Sequence, residues 1–172
     1  APELNETKWS AWETDPQTYG GVYTLEKIKS AILNSQNSLD LSYHRMVDLA
    51  PLQEATHLRT LLLSANQISN LDPLSSLTSL EVLHLNSNKV SDLSPLSNLF
   101  ELKELILDDN ELEDLTGSDL SPLAGLTRLV KLSLADNKLS SLEHLGNLKL
   151  LEDLNLRGND VSSLQAISSL IK

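Results

Sequence analysis

The chain has 172 residues, with 13 basic against 24 acidic side chains for a formal charge of −11, and it contains no cysteine. That balance argues against nucleic acid or an anionic membrane surface as the main partner, since both reward clustered lysine and arginine. The missing thiols exclude disulfides, thiolate metal sites and thiol nucleophiles, and no apolar run approaches the roughly 20 residues that cross a bilayer.

The sequence opens Ala1-Pro2 without an initiator methionine or an apolar leader, so a processed or trimmed product is expected. Asn5-Glu6-Thr7 fits a glycosylation acceptor triplet, a pattern that arises easily by chance. Residues 1–35 read as a polar arm followed by a helical cap. The arm holds Trp9, Trp12, Tyr19 and Tyr23, with Gly20-Gly21 as a break; large aromatics more often bury than protrude, so packing onto the cap is expected. Thr24 to Leu33 forms an amphipathic helix, with Thr24 as its N-cap and Leu25, Ile28, Ala31 and Ile32 on one face.

Residues 36–172 repeat one frame, L-x-x-L-x-L-x-x-N-x-L. It fits Leu58, Leu61, Leu63, Asn66 and Ile68, and recurs from Leu80, Leu102, Leu129 and Leu151. Those starts lie 22, 22, 27 and 22 residues apart, so one unit carries a five-residue insertion, expected to bulge as a loop around Thr116, Gly117, Ser118 and Asp119. The second half of a unit reads L-x-P-L-x-x-L, as in Leu71, Pro73, Leu74 and Leu77, or Leu93, Pro95, Leu96 and Leu99. Leu115 or Leu120 begins the same phrase before Pro122, and the later units keep only its leucines. A degenerate first unit precedes these five, with Leu39, Leu41, Met46 and Leu49 in frame and His44 at the asparagine position. A turn-bonded structural histidine is expected there, and six units result. The last ends in Ser162 to Ile171, which either forms a helix covering the core with Leu164, Ile167, Leu170 and Ile171, or leaves an open strand edge near Leu154 and Leu156 that invites pairing.

A 22-residue unit with this phrase resembles the bacterial, internalin-type leucine-rich repeats. The resemblance implies an α/β solenoid, a horseshoe with a parallel β-sheet on its concave face, short 3-10 or helical turns on its convex face, and an N-terminal helical cap. It also implies a secreted or surface-associated protein that binds other proteins, so an extracellular, surface or periplasmic address is favoured over a cytoplasmic one.

The physics of one unit leads to the same architecture. In x-L-x-L, alternation sends both leucines to one side and their neighbours to the other. A single unit cannot close its own core, so units stack and bury a continuous apolar column. Asn66, Asn88, Asn110, Asn137 and Asn159 are expected to form a ladder, each amide pairing backbone groups left open where the chain turns.

Residues flanking the inward leucines then project from the concave wall. Leu62, Val82, His84 and Ile106 are neighbours in that grid and leave apolar surface facing solvent, while Glu104, Asp108, Asp109 and Asp136 gather negative charge beside them. An apolar centre with a charged rim is the anatomy of a protein-binding surface. Tyr43 is the wall's one aromatic. The competing reading is that apolar residues simply favour strands and that the carboxylates form a solvated face; calcium would need six to eight oxygens, and no loop has that spacing.

No catalytic signature appears: the chain has no G-x-S-x-G, phosphate loop, H-E-x-x-H or dinucleotide fingerprint. His44, His57, His84 and His144 share no ligand spacing. The expectation is a non-enzymatic recognition module without cofactor or metal, binding a protein with a basic patch through its concave face, with no nucleic-acid partner and no membrane insertion. A monomer is favoured, with an edge-mediated dimer as the alternative. An intracellular scaffold that grips an enzyme, or a self-associating repeat domain, are the other readings.

Overall fold

The computed structural model describes residues 3–113 and 120–171. The insertion around Thr116 to Asp119, and Leu115, lie outside the described residues. Six three-residue strands run in chain order through one parallel sheet: β1 Ser38–Asp40, β2 Thr60–Leu62, β3 Val82–His84, β4 Glu104–Ile106, β5 Lys131–Ser133 and β6 Asp153–Asn155. Their register is strict, with Leu39, Leu61, Leu83, Leu105, Leu132 and Leu154 side by side. Short 3-10 turns at Ala50–Leu52, Asp72–Leu74, Ser94–Leu96, Ser121–Leu123 and Gln165–Leu170 form the opposite side. This is the solenoid that the leucine frame implies, and its leucines form one continuous core.

The proline of the repeat phrase and two further features shape the coils. Four of the turns carry proline within their first two residues, where its fixed φ suits the turn and its missing N–H is not needed. Two residues before the first residue of several turns stands a short polar side chain that accepts from that residue's backbone N–H: Asp48 from Ala50 at 2.8 Å, Asn70 from Asp72 at 2.9 Å and Asp92 from Ser94 at 2.9 Å. In the later coils Ser141 and Ser163 take the same place through their hydroxyls. After each strand the chain passes through a left-handed residue, Tyr43, Ala65, Ser87, Asp109, Asp136 and Gly158, with φ between 54° and 72°. Only the last of these is the glycine that such a conformation favours.

The N-terminal end departs from expectation in three ways. The polar arm is helical: α1 spans Glu6–Thr14, capped by Asn5, whose side chain accepts from the Lys8 N–H at 3.1 Å. Its one buried residue is Trp9, so the segment lacks the apolar stripe that would have announced a helix. Trp9 packs edge-on against Trp12, which meets Tyr19, while Tyr23 stays exposed and stacks on His44. The cap helix, α2, runs Val22–Leu33 with Gly21 at the N-cap position, so Thr24 is not its N-cap. Thr24 is buried instead, its hydroxyl bonding the Gly20 carbonyl and the Nδ1 of His44 at 2.7 Å. Leu25, Ile28, Ala31 and Ile32 are buried in the core.

His44 is correspondingly a cap-bonding residue rather than one that bonds the turn through its ring. Its ring reaches α2, and it is Asn66 of the next coil that serves the turn, accepting from the His44 and Met46 N–H groups. Burial, then the nearby charge of Lys27, lowers the His44 imidazole's pKa from its ordinary value, with Asp40 pulling partly the other way.

At the far end the turn Gln165–Leu170 buries only Ile167. Leu164 and Ile171 are exposed, and Leu154 and Leu156 are half-buried where their counterparts in earlier coils are fully buried. Of the two alternatives for this segment, the covering helix is not formed: it is a 3-10 turn that covers the core only in part, with β6 the last strand among the described residues.

Candidate functional site: the concave wall

The asparagines set the spacing of the wall. Each of Asn66, Asn88, Asn110, Asn137 and Asn159 donates from Nδ2 to three carbonyls: the leucine just after its own coil's strand, the residue following that leucine, and the equivalent leucine one coil back. Each Oδ1 accepts from a backbone N–H of the preceding coil, such as Ile68 for Asn88 and Val90 for Asn110. These amides tie adjacent coils together, which fixes the positions of the side chains projecting from the strands.

On the concave side, the outward column of the strands runs Asp40, Leu62, His84, Ile106, Ser133 and Asn155 in register. The neighbouring column runs Ser38, Thr60, Val82, Glu104, Lys131 and Asp153. Leu62, His84 and Ile106 thus occupy successive rungs, with Val82 on the same strand as His84, and all four are half-buried. Tyr43 stands apart: it is 80% exposed at the left-handed position of the first coil, bonded through its N–H to the Ser64 carbonyl.

The carboxylates divide by environment. Glu104 is not free, because its Oε2 lies 2.6 Å from His84 Nε2 and its Oε1 lies 3.9 Å from Lys131 Nζ. Asp108 accepts the Ala135 N–H at 3.0 Å and so helps hold the next coil. Asp136 pairs with Arg157 at 3.1 Å. Asp109, exposed at a left-handed position, has no side-chain partner among the described residues. Two of the four therefore meet cations, a pairing visible in the grid, where Lys131 adjoins Glu104. Sequence reasoning passed over it. It also left out Asp153 and Asp40. The Asp40 carboxyl is held below its usual range by hydrogen bonds from Ser42, chiefly that of its backbone N–H at 2.9 Å, together with the Lys27 charge.

Across the strands and the three positions after them, six carboxylates (Asp40, Glu104, Asp108, Asp109, Asp136, Asp153) face two cations, Lys131 and Arg157. Four formal negative charges remain. No group of three or more histidine or acidic side chains among the described residues is arranged to hold a metal ion. No helix among them is long and apolar enough to cross a membrane. What this wall offers chemically is apolar contact bordered by unmatched carboxylates.

The comparisons with known proteins agree with the architecture. Residues 56–98 match the family of leucine-rich repeats (2 copies). No curated protein matches the sequence. An internalin (InlF) of Listeria monocytogenes shares 30% identity at a TM-score of 0.67, covering 87% of this chain and 48% of its own. A leucine-rich-repeat protein of Leptospira interrogans shares 31% identity at 0.66, covering 73% of this chain and 32% of its own. Internalin C2 of Listeria monocytogenes, at 24% identity and 0.64, covers 95% and 92% and speaks for the fold alone. The chain spans about half the length of the first of these relatives and a third of the second. A fold of this kind is a protein-interaction module in general terms. With a 22-residue frame in strict register and these relatives on the same solenoid, the chain is an internalin-type leucine-rich-repeat protein.

Proposed function

We propose that this protein is a non-enzymatic recognition module whose concave wall holds a protein partner with a basic contact surface, and that it acts outside the cytoplasm. The observation that carries this reading is the run Leu62, His84, Ile106 on successive rungs, with Val82 beside it and uncompensated carboxylates at the border. Apolar side chains held half-open on a rigid sheet lose little conformational freedom on binding, while the surrounding negative charge steers a basic partner and rejects an acidic one. The internalin-type resemblance favours the extracellular or surface address.

The test places a photo-crosslinking amino acid at Leu62 or Val82 on the wall, and at Gln53 or Ser75 on the turn side. A protein captured from the wall positions, absent from the turn positions and lost in Leu62→Glu, supports the reading. Capture that is equal from both sides removes the wall from consideration.

A second reading has its own observation. The half-buried Leu151, Leu154 and Leu156 line an open groove of about 350 Å³ together with Leu164 and Ile171, and among the described residues β6 pairs on one side only. Self-association through that end would cover it. Light scattering over a concentration series decides the matter: a strict monomer at high concentration rules it out.

A further inference from the structure

Below the apolar run the floor of the wall drops. The outward column passes from Ile106 to Ser133 and then Asn155, and the exchange of a branched aliphatic for a hydroxymethyl group opens a recess of about 350 Å³, lined by Ile106, Asp108, Lys131, Ser133, Asp153 and Asn155 among others. Ser133 is only 5% exposed, yet its hydroxyl makes no hydrogen bond among the described residues. The side chain of this almost fully buried residue lines the recess, so its hydroxyl is free to bond whatever enters there.

The charges around it are uneven. Lys131 is matched by Glu104, which His84 also holds. Asp153 is exposed and has no side-chain partner among the described residues. Asp108 spends Oδ1 on the Ala135 N–H and keeps its second oxygen without a partner. Two carboxylates on different coils thus contribute acceptors to a recess whose floor is an unpaired hydroxyl and whose side is Ile106.

We infer that this recess takes an arginine side chain of the protein partner. The guanidinium carries five N–H donors in a planar fork, so one group can pair with both oxygens of Asp153 and reach the Ser133 hydroxyl, while its methylene stem lies toward Ile106 and Asp108 adds negative charge. A lysine ammonium is a compact, strongly hydrated point charge that cannot make the same two-pronged contact with a carboxylate. The assignment rests on the concave-wall reading and specifies the partner's anchoring residue.

The experiment needs no identified partner. Isotope-labelled protein is titrated with N-acetyl-arginine methylamide, and with its lysine and citrulline counterparts, while backbone amide signals are followed by NMR. Expected are saturable shifts centred on Ser133, Asp153 and Asn155 with the arginine probe, and binding weaker by at least about tenfold for lysine. Citrulline, nearly isosteric but uncharged, gives no saturable response. Asp153→Asn weakens the arginine probe by at least about tenfold, and Ser133→Phe, which fills the recess without altering charge, abolishes its binding.

Should Ser133→Phe fail to fold, as its melting curve would reveal, Asp153→Asn decides alone. Citrulline or lysine binding as well as arginine overturns the assignment, as does an arginine titration that moves nothing in the recess or is unchanged in Asp153→Asn. The two readings fail separately: a silent arginine titration alongside crosslinking that Leu62→Glu abolishes removes the recess and leaves the wall.

Discussion

Replacing Asn88 with alanine tests the bonds that hold one coil to the next. The Asn88 Oδ1 accepts the Ile68 N–H at 3.1 Å, and Ile68 is fully buried. Without the amide that N–H has no replacement partner and no water, a penalty of about 1–3 kcal/mol. The Nδ2 donates to the Leu63 and Leu85 carbonyls at 2.9 and 3.0 Å. Those carbonyls fare better, since Leu63 keeps Asn66 and Leu85 keeps Asn110 as donors. The net cost is therefore dominated by the stranded N–H, about 2–3 kcal/mol in all. For a chain of this size that lowers the melting temperature by about 4–12 °C. Asn159, half-exposed in the last coil, offers an internal comparison. Water can replace part of what it supplies, so Asn159→Ala should cost less than half as much. Urea denaturation of both variants beside the wild type measures the difference. Equal midpoints for Asn88→Ala and wild type, or a larger loss at Asn159 than at Asn88, would refute the reasoning.

Other outcomes follow from single contacts. The neutral His44 is favoured in the fold, so its contribution to stability is complete above about pH 6.5 and is lost as pH falls toward the lowered value; His44→Gln should flatten the stability profile in that window. The Asp40 and Asp92 carboxyls are held low by hydrogen bonds from Ser42 and Ser94, so a further loss begins only below about pH 4 and is shared by that variant. Trp9→Ala removes a fully buried indole and should cost about 3–5 kcal/mol by denaturant melting. Trp9→Phe should cost much less, since the buried Nε1 has no partner to lose. Ala65→Gly relieves a left-handed residue at φ 56° and should raise stability by up to about 1 kcal/mol.

The leucines carried the register because their period is fixed and their burial is all-or-none. Placing Leu61, Leu83 and Leu105 side by side also placed Leu62, His84 and Ile106, whose positions depend on nothing else. What the frame could not supply was side-chain reach. Glu104 looked like part of an acidic cluster because its ties to His84 and Lys131 depend on rotamers 2.6 and 3.9 Å from contact partners on adjoining coils. The recess over Ser133 likewise depends on a difference in size between neighbours 27 and 22 residues away. At the N-terminus, α1 escaped notice because a helix that buries one tryptophan has no stripe. Thr24 looked like a cap because its partner, His44, lies 20 residues further on. The short polar residues before the turns, such as Asp48, Asn70 and Asp92, look like ordinary loop residues in a sequence, because their role lies in accepting a turn N–H two residues on.

Of all measurements, the affinity of the crosslinked partner for wall variants bears most directly on the account. Binding should weaken by at least about tenfold in Leu62→Glu, whose buried charge would face apolar contact. In Asp109→Lys with Asp136→Lys, binding should weaken and its salt dependence should reverse, because screening then relieves repulsion. An affinity unchanged in both variants, with a loss instead on substituting Ser75 of the turn side, would contradict recognition by the concave wall.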